Sequence, residues 1–381
     1  MERCSVSSFS LLLLVVITLA FHSADATNRT LLFIFGDSTV DVGTNNFLEG
    51  SPGPVCPYGI DYPTNISTGR ATNGYTLSDQ LARRMGYEES PHPYLALVNS
   101  SSSFLNGVNF ASGGSGIFDS TGWHFTIKQF STVRDNITAE LGTEEAARLL
   151  SQALFIVSDG GNDFFQYLLN GSISLEGAIK FRKELVQTYG EHFQELYKLG
   201  ARKFGIVGIP PVASTPFLKA KLEPWQQSII NFVALRFYGG TKKLLEDLKL
   251  DGMKYSIANS FAFTFDLMNN PSKYNLTEVG EACWNTDFKG TDFTEDIGES
   301  CRNWNGPICP DRDHYLFFDP VHPTQRAADL TAEAFLYGET NYVEPINFSD
   351  LASTGIQYPT QKDAAEFGAF SFSGRKTKYV I

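Results

Sequence analysis

Short apolar runs bounded by turn residues recur along the chain, at 31–35 (LLFIF), 104–110 (FLNGVNF), 153–158 (ALFIVS), 203–209 (KFGIVGI) and 254–259 (KYSIAN). Their β-branched and aromatic residues mark them as strands. Between and after the later runs, residues 176–199, 224–249 and 325–337 carry helical spacing. Strands alternating with helices predict an α/β fold, a three-layer α/β/α sandwich around a mostly parallel sheet. No linker rich in Pro, Gly or Ser and no internal repeat divides the pattern, so one domain is expected over 27–345. Residues 346–381 are polar, small and poorly periodic, and read as a loosely ordered tail.

The 381 residues, 42% of them hydrophobic, can bury a large core. The first 26 residues lie outside that core pattern. Arg3, an apolar run from Leu11 to Phe21 and the small residues Ala24 and Ala26 read as a secretory leader cleaved after Ala26. That run is about half the roughly 20 residues a spanning helix needs, and no later stretch is apolar and long enough, so no stable membrane insertion is expected. A formal net charge of −12 repels phosphate backbones and argues against nucleic-acid binding. Of the five cysteines, Cys4 leaves with the leader. Cys56, Cys283, Cys301 and Cys309 can form two disulfides in three ways, and the clustering of the last three favours at least one local bridge. No C-x-x-C pair accompanies them to suggest zinc. Asn28, Asn65, Asn99, Asn136, Asn170, Asn275 and Asn347 each open an N-x-[ST] sequon, which predicts a secreted eukaryotic glycoprotein.

In an open parallel sheet, ligands bind beyond the carboxyl ends of the strands. The first strand is followed by GDSTVD (36–41) with Ser38, the second by ASGGSGI (111–117), the third by DGGND (159–163) and the fourth by PPVAS (210–214). A serine hydroxyl needs a base to act as a nucleophile. The chain has six histidines. His22 belongs to the leader, His92, His124 and His192 lack a nearby carboxylate pattern, and His314 follows the acidic DRD as a solvated loop residue or part of a metal site. His322, in FFDPVHPT, has Asp319 three residues ahead, close enough to hold the ring in the tautomer that leaves its other nitrogen for Ser38. Each fragment alone is an ordinary turn or flexible loop. Their occurrence together, in order, at successive strand ends is what points to nucleophilic catalysis.

From about residue 31 to about 345 the sequence resembles the GDSL lipase/esterase family, or SGNH hydrolases, and within it the secreted plant branch. FGDSTVDVGTNN carries the first block, GVNFASGGSGI the second, GGND the third and FFDPVHPT the fifth. The resemblance implies a flavodoxin-like sheet and a serine esterase or lipase acting on small-molecule or lipid esters. Ser38, Asp319 and His322 would form its triad. The Ser38 amide, a glycine-loop amide and the Asn162 side chain would form an oxyanion hole. Gly113, Gly114 and Gly116 all fall in the glycine block, with Gly114 the first choice and Gly116 the second. Thr39 departs from the family's namesake leucine, at a position that concerns packing. Asp41 and Asn45 are expected to cap the next helix and steady the serine's turn.

No G-x-S-x-G elbow, P-loop, dinucleotide fingerprint or HExxH occurs, so neither the ordinary α/β-hydrolase fold nor a cofactor or metal is implied. The same residues would serve an acyltransferase if an alcohol replaced water, or, without turnover, a non-catalytic acyl- or sugar-binding glycoprotein. The 31 phenylalanines raise the option of an aromatic acyl groove, although most belong to the core. Protein partners and oligomeric state are not legible.

Overall fold

A computed structural model describes residues 29–50, 55–98, 100, 103–169, 173–285, 301, 306–338 and 341–354. Its centre is a six-stranded sheet built from β1 (Leu32–Gly36), β2 (Val108–Asn109), β3 (Leu154–Ser158), β4 (Lys203–Val207), β5 (Lys254–Ala258) and the edge strand β8 (Val343–Glu344). The order is β2-β1-β3-β4-β5-β8, parallel throughout except for β8 against β5. The first five strands thus follow the flavodoxin-like order, whose switch point lies between β1 and β3. A separate parallel pair joins β6 (Glu278–Ala282) to β7 (Tyr315–Phe317).

Alternation along β1 explains the layers. Phe33 and Phe35 face one side, packed with Phe110, Phe130 and Phe155 at ring separations of 4.8–6.4 Å. Three long helices cover that side: α3 (Trp123–Leu141), α6 (Leu175–Lys198) and α8 (Pro224–Leu248), through residues such as Val133, Leu185 and Val233. Leu32 and Ile34 face the other side, beneath α1 (Leu77–Arg84), α9 (Ser260–Asn269) and α10 (Gln325–Tyr337). The remaining helices are α2 (Tyr94–Leu97), α4 (Thr143–Gln152), α5 (Gly161–Leu169), α7 (Pro216–Lys221) and α11 (Phe348–Ser353). Truncating a buried ring such as Phe155 to alanine costs about 3–5 kcal/mol in a core of this kind.

Two sequence expectations change shape here. The strand expected over 104–110 shrinks to β2, because Phe104–Asn106 form a 3₁₀ turn and Gly107 takes φ +88°. Asn109 then turns its amide to Val40 O and Ser90 Oγ, at 2.8 and 3.1 Å. Core packing also continues past residue 345. In α11, Phe348 and Leu351 are fully buried, and Lys203 Nζ donates to Ala352 O at 2.9 Å. Residues 355–381 of the expected tail lie outside the described residues, as do the leader and the sequons at Asn28, Asn99 and Asn170.

Candidate active site

Ser38 follows the carboxyl end of β1. There the chain passes so close to β3 that a Cβ on Gly36 would lie 2.2 Å from Ser158 O, which reserves the position for glycine. The turn is stapled by Asp37, whose Oδ1 accepts from Thr39 N at 2.9 Å and Thr39 Oγ1 at 2.7 Å. Thr39 therefore contributes a hydrogen bond to the turn as well as packing. Asp41 Oδ1 accepts from the amides of Gly43 and Thr44, which open a 3₁₀ turn at Thr44–Phe47, while its Oδ2 accepts from Gly113 N at 3.0 Å. Asn45 closes the same connection, accepting from Gly113 N and Ser112 Oγ and donating to Gly113 O. These two residues join the serine's turn to the glycine loop as well as capping, and they occupy the Gly113 amide. Gly114, at φ +89°, keeps its N–H without an acceptor among the described residues.

The third block reaches the same loop. Asn162, in the first turn of α5, donates from Nδ2 to Ser115 O at 2.7 Å, leaving its second amide hydrogen available. Asp163 accepts from the amides of Ile117 and Phe118. Asp159 is buried nearby and accepts from Gly160 N and Ser115 Oγ. Burial, followed by the charges of Asp37 and Asp163, pushes its carboxyl well above the usual range.

His322 and Asp319 lie in the loop between β7 and α10. His322 Nε2 sits 2.8 Å from Ser38 Oγ, and its Nδ1 sits 2.7 Å from Asp319 Oδ2. The Asp319 carboxylate favours the tautomer in which Nδ1 carries the proton and Nε2 accepts from the serine. Asp319 is fully buried and satisfied by further donors: the amides of Val321 and His322 on Oδ1, and the Tyr58 hydroxyl on Oδ2 at 2.8 Å. Burial alone would raise Asp319, but His322 and these donors hold it below the usual carboxylate range. Burial alone would lower His322, but the Asp319 carboxylate outweighs it and the imidazole pKa lies above its ordinary 6.5. Burial and Asp319 push Tyr58 well above 10, so its hydroxyl stays protonated as a donor.

Tyr58 carried no signal in the sequence, because its partner lies 261 residues away. Its segment is fixed from several directions. The Cys56–Cys301 disulfide anchors its start, Arg312 Nη2 donates to Asp61 Oδ1 at 2.7 Å, and Thr72 Oγ1 donates to Pro323 O at 3.0 Å. A buried bidentate pair, Arg70–Asp79, ties its end to α1. The second disulfide, Cys283–Cys309, is the local bridge that the cysteine clustering favoured, and it packs with Trp284 and Phe318 beside Tyr58.

Ser38, Asn162 and His322 line one cavity of about 150 Å³ that also contains Phe165, Ile209, Leu267 and Ala328. Gly114 and Gly116 do not line it, and Gly116 instead pairs with Gly122. The aromatic groove is not what forms: of the 31 phenylalanines only Phe165 and Phe317 reach the cavity among the described residues, and aliphatic and small side chains make most of the wall. His314 is engaged by Asp311 and Asn275, and among the described residues no group of His, Cys, Asp and Glu is arranged to hold a metal. No described helix is long and apolar enough to cross a membrane. Asn136 and Asn275 are exposed, Asn65 is half-buried with Nδ2 on Ile60 O, and Asn347 caps α11.

A family model described as GDSL-like lipase/acylhydrolase matches residues 32–335. One GDSL esterase/lipase of Arabidopsis thaliana is 32% identical over 368 residues, covering 92% of this chain and 97% of that protein. A second, from the same plant, is 34% identical over 343 residues, covering 85% and 91%. Among solved structures, the lipase Lip_vut3 from a goat rumen metagenome aligns at 13% identity and a TM-score of 0.34, over 80% of this chain and 94% of that one, a likeness too distant to add to the assignment. The match runs through the serine turn, the glycine loop and the histidine loop alike, so the chain belongs to the GDSL-like lipase/acylhydrolase family and is a carboxylic ester hydrolase.

Proposed function

We propose that the protein is a secreted serine esterase that cleaves esters through an acyl-enzyme. The observation that carries this reading is the continuous hydrogen-bonded path from Ser38 Oγ through His322 to the buried Asp319 carboxylate, opening on an apolar cavity. In this reading His322 Nε2 takes the Ser38 proton as Oγ attacks the ester carbonyl, and Asp319 stabilises the imidazolium. The oxyanion is met by the Ser38 amide, the Gly114 amide left without an acceptor and the remaining Asn162 side-chain hydrogen. The imidazolium then protonates the leaving alcohol. Water, deprotonated by the same histidine, releases the carboxylic acid and restores the serine. Two disulfides together with the leader at 1–26 support an extracellular address.

The test is turnover of a panel of p-nitrophenyl esters by purified protein. Ser38→Ala is expected to abolish activity, and Asn162→Ala to lower kcat by about 10²–10³. Full activity in the Ser38 variant would refute the nucleophile. The intact mass of secreted protein checks cleavage after Ala26 and occupancy of the sequons.

A further inference from the structure

The cavity does not end at the nucleophile. It continues beneath the carboxyl edge of the sheet into the space between α9 and α10. On α9 its wall is Ser260, Thr264 and Leu267, spaced i, i+4 and i+7 on one helix face, and on α10 it is Ala327, Ala328 and Thr331. At 1.5 Å rise per residue, the stretch from Ser260 to Leu267 is about 10 Å long. This arm is blind, since Leu267, Leu316, Ala327 and Ala328 at its walls are all buried. The opposite side of the cavity, at Phe165, Pro210 and Val321, is partly exposed.

The two arms differ chemically as well. The ionisable groups lining the cavity, Asp37, Asp159 and His322, all sit at the nucleophile end, and no charged side chain lines the blind arm. Thr331 turns its hydroxyl back onto Ala327 O at 2.7 Å, which leaves its methyl for the wall. In a two-step ester cleavage the alcohol must depart between the steps, while the acyl group stays on the serine until water arrives. A blind arm therefore suits the acyl group, and the open side suits the alcohol.

Building on the esterase reading above, we propose that the space between α9 and α10 is an acyl pocket for a straight, uncharged aliphatic chain of about eight carbons, with Thr264 and Ala328 setting its length limit. Two magnitudes agree on the size. An extended backbone advances about 1.2 Å per bond, so 10 Å holds about eight bonds. A volume of about 150 Å³, at about 10–15 Å³ per water-sized site, holds about ten heavy atoms.

The experiment is kcat/KM on p-nitrophenyl acetate, butyrate, octanoate and palmitate for wild type, Thr264→Phe and Ala328→Leu, with thermal melts to verify folding. Wild type is expected to favour octanoate over acetate at least tenfold and to fall again at palmitate. Thr264→Phe is expected to cut the octanoate-to-acetate ratio at least tenfold. Ala328→Leu, a smaller change that reports even if the larger ring cannot be packed, should lower it several-fold. A ratio unchanged in the folded variants, a flat wild-type profile or a preference for palmitate overturns the pocket while leaving the esterase reading intact. Failure of wild type to cleave any ester in the panel overturns both.

Discussion

Ser38 hangs from the end of β1, in a turn whose restraints come from the sheet and its adjoining loops: Gly36 against Ser158, Asp41 and Asn45 against Gly113. Asp319 and His322 sit beyond the small β6–β7 pair, in a loop restrained by residues from the far end of the chain: Tyr58, Thr72 and the Cys56–Cys301 bridge. One half of the site is positioned by strand register, the other by cross-links. The nucleophile side thus shares the stability of the core, while the base side can be loosened without disturbing the sheet.

The harshest way to break that asymmetry is Asp319→Asn, which keeps the shape but loses the carboxylate that sets the His322 tautomer. It is expected to lower kcat by about 10⁴, measured on any ester the wild type cleaves. Acid acts on the same pair. Because the His322 pKa is raised, its loss as a base begins above pH 6.5, and kcat/KM should fall about tenfold per pH unit once below that raised value. A pH profile whose acid limb lies below 6.5 would contradict the Asp319–His322 coupling.

Replacing Cys56 and Cys301 together by Ser opens a loop with a sequence separation of 245. Chain-entropy reasoning gives a stability loss of about 5 kcal/mol, against about 3 kcal/mol for the Cys283–Cys309 bridge with its separation of 26. Urea midpoints of the two double variants test the ranking, and activity should decline before the sheet's circular dichroism does only in the first. Tyr58→Phe is milder. It removes one hydrogen bond to a charged group, worth about 1.5–3 kcal/mol, and a fall of about tenfold in kcat/KM is expected, with the acid limb of the pH profile moved upward as Asp319 attracts the imidazolium more strongly. An unaltered limb would reduce Tyr58 to packing.

The smallest effect is expected on the nucleophile side, in stability alone. The raised carboxyl of Asp159 contributes stability below its unfolded pKa and loses it as pH rises through the folded value. Asp159→Asn should therefore raise Tm at pH 7–8 more than at pH 4.

Legibility in the sequence followed the range of the interactions. Ser38 and the Asp319–His322 pair could be read because each lies in a short segment at a strand end, and β1, β3, β4 and β5 because apolar runs in a buried sheet stand out against their turns. The order of the strands follows from the same alternation. Features requiring two distant segments could not be read. Tyr58 on Asp319, the pairing of Cys56 with Cys301 and the aliphatic wall between α9 and α10 are products of the fold. Among the three glycines, only the side-chain acceptors Asp41 and Asn45 distinguish the occupied Gly113 amide from that of Gly114. Thr39 looked like a simple departure until its hydroxyl was found on Asp37.

The Cys56–Cys301 bridge also sets an order of events during synthesis. It cannot close until residue 301 has been made, by which time all five parallel strands have already left the ribosome. The serine's turn can form with the sheet, but the loop carrying its base is fastened only after the late half of the chain returns to the early half under oxidising conditions. An ester-cleaving protein assembled this way acquires its cutting edge last, once it has left the reducing side of the cell.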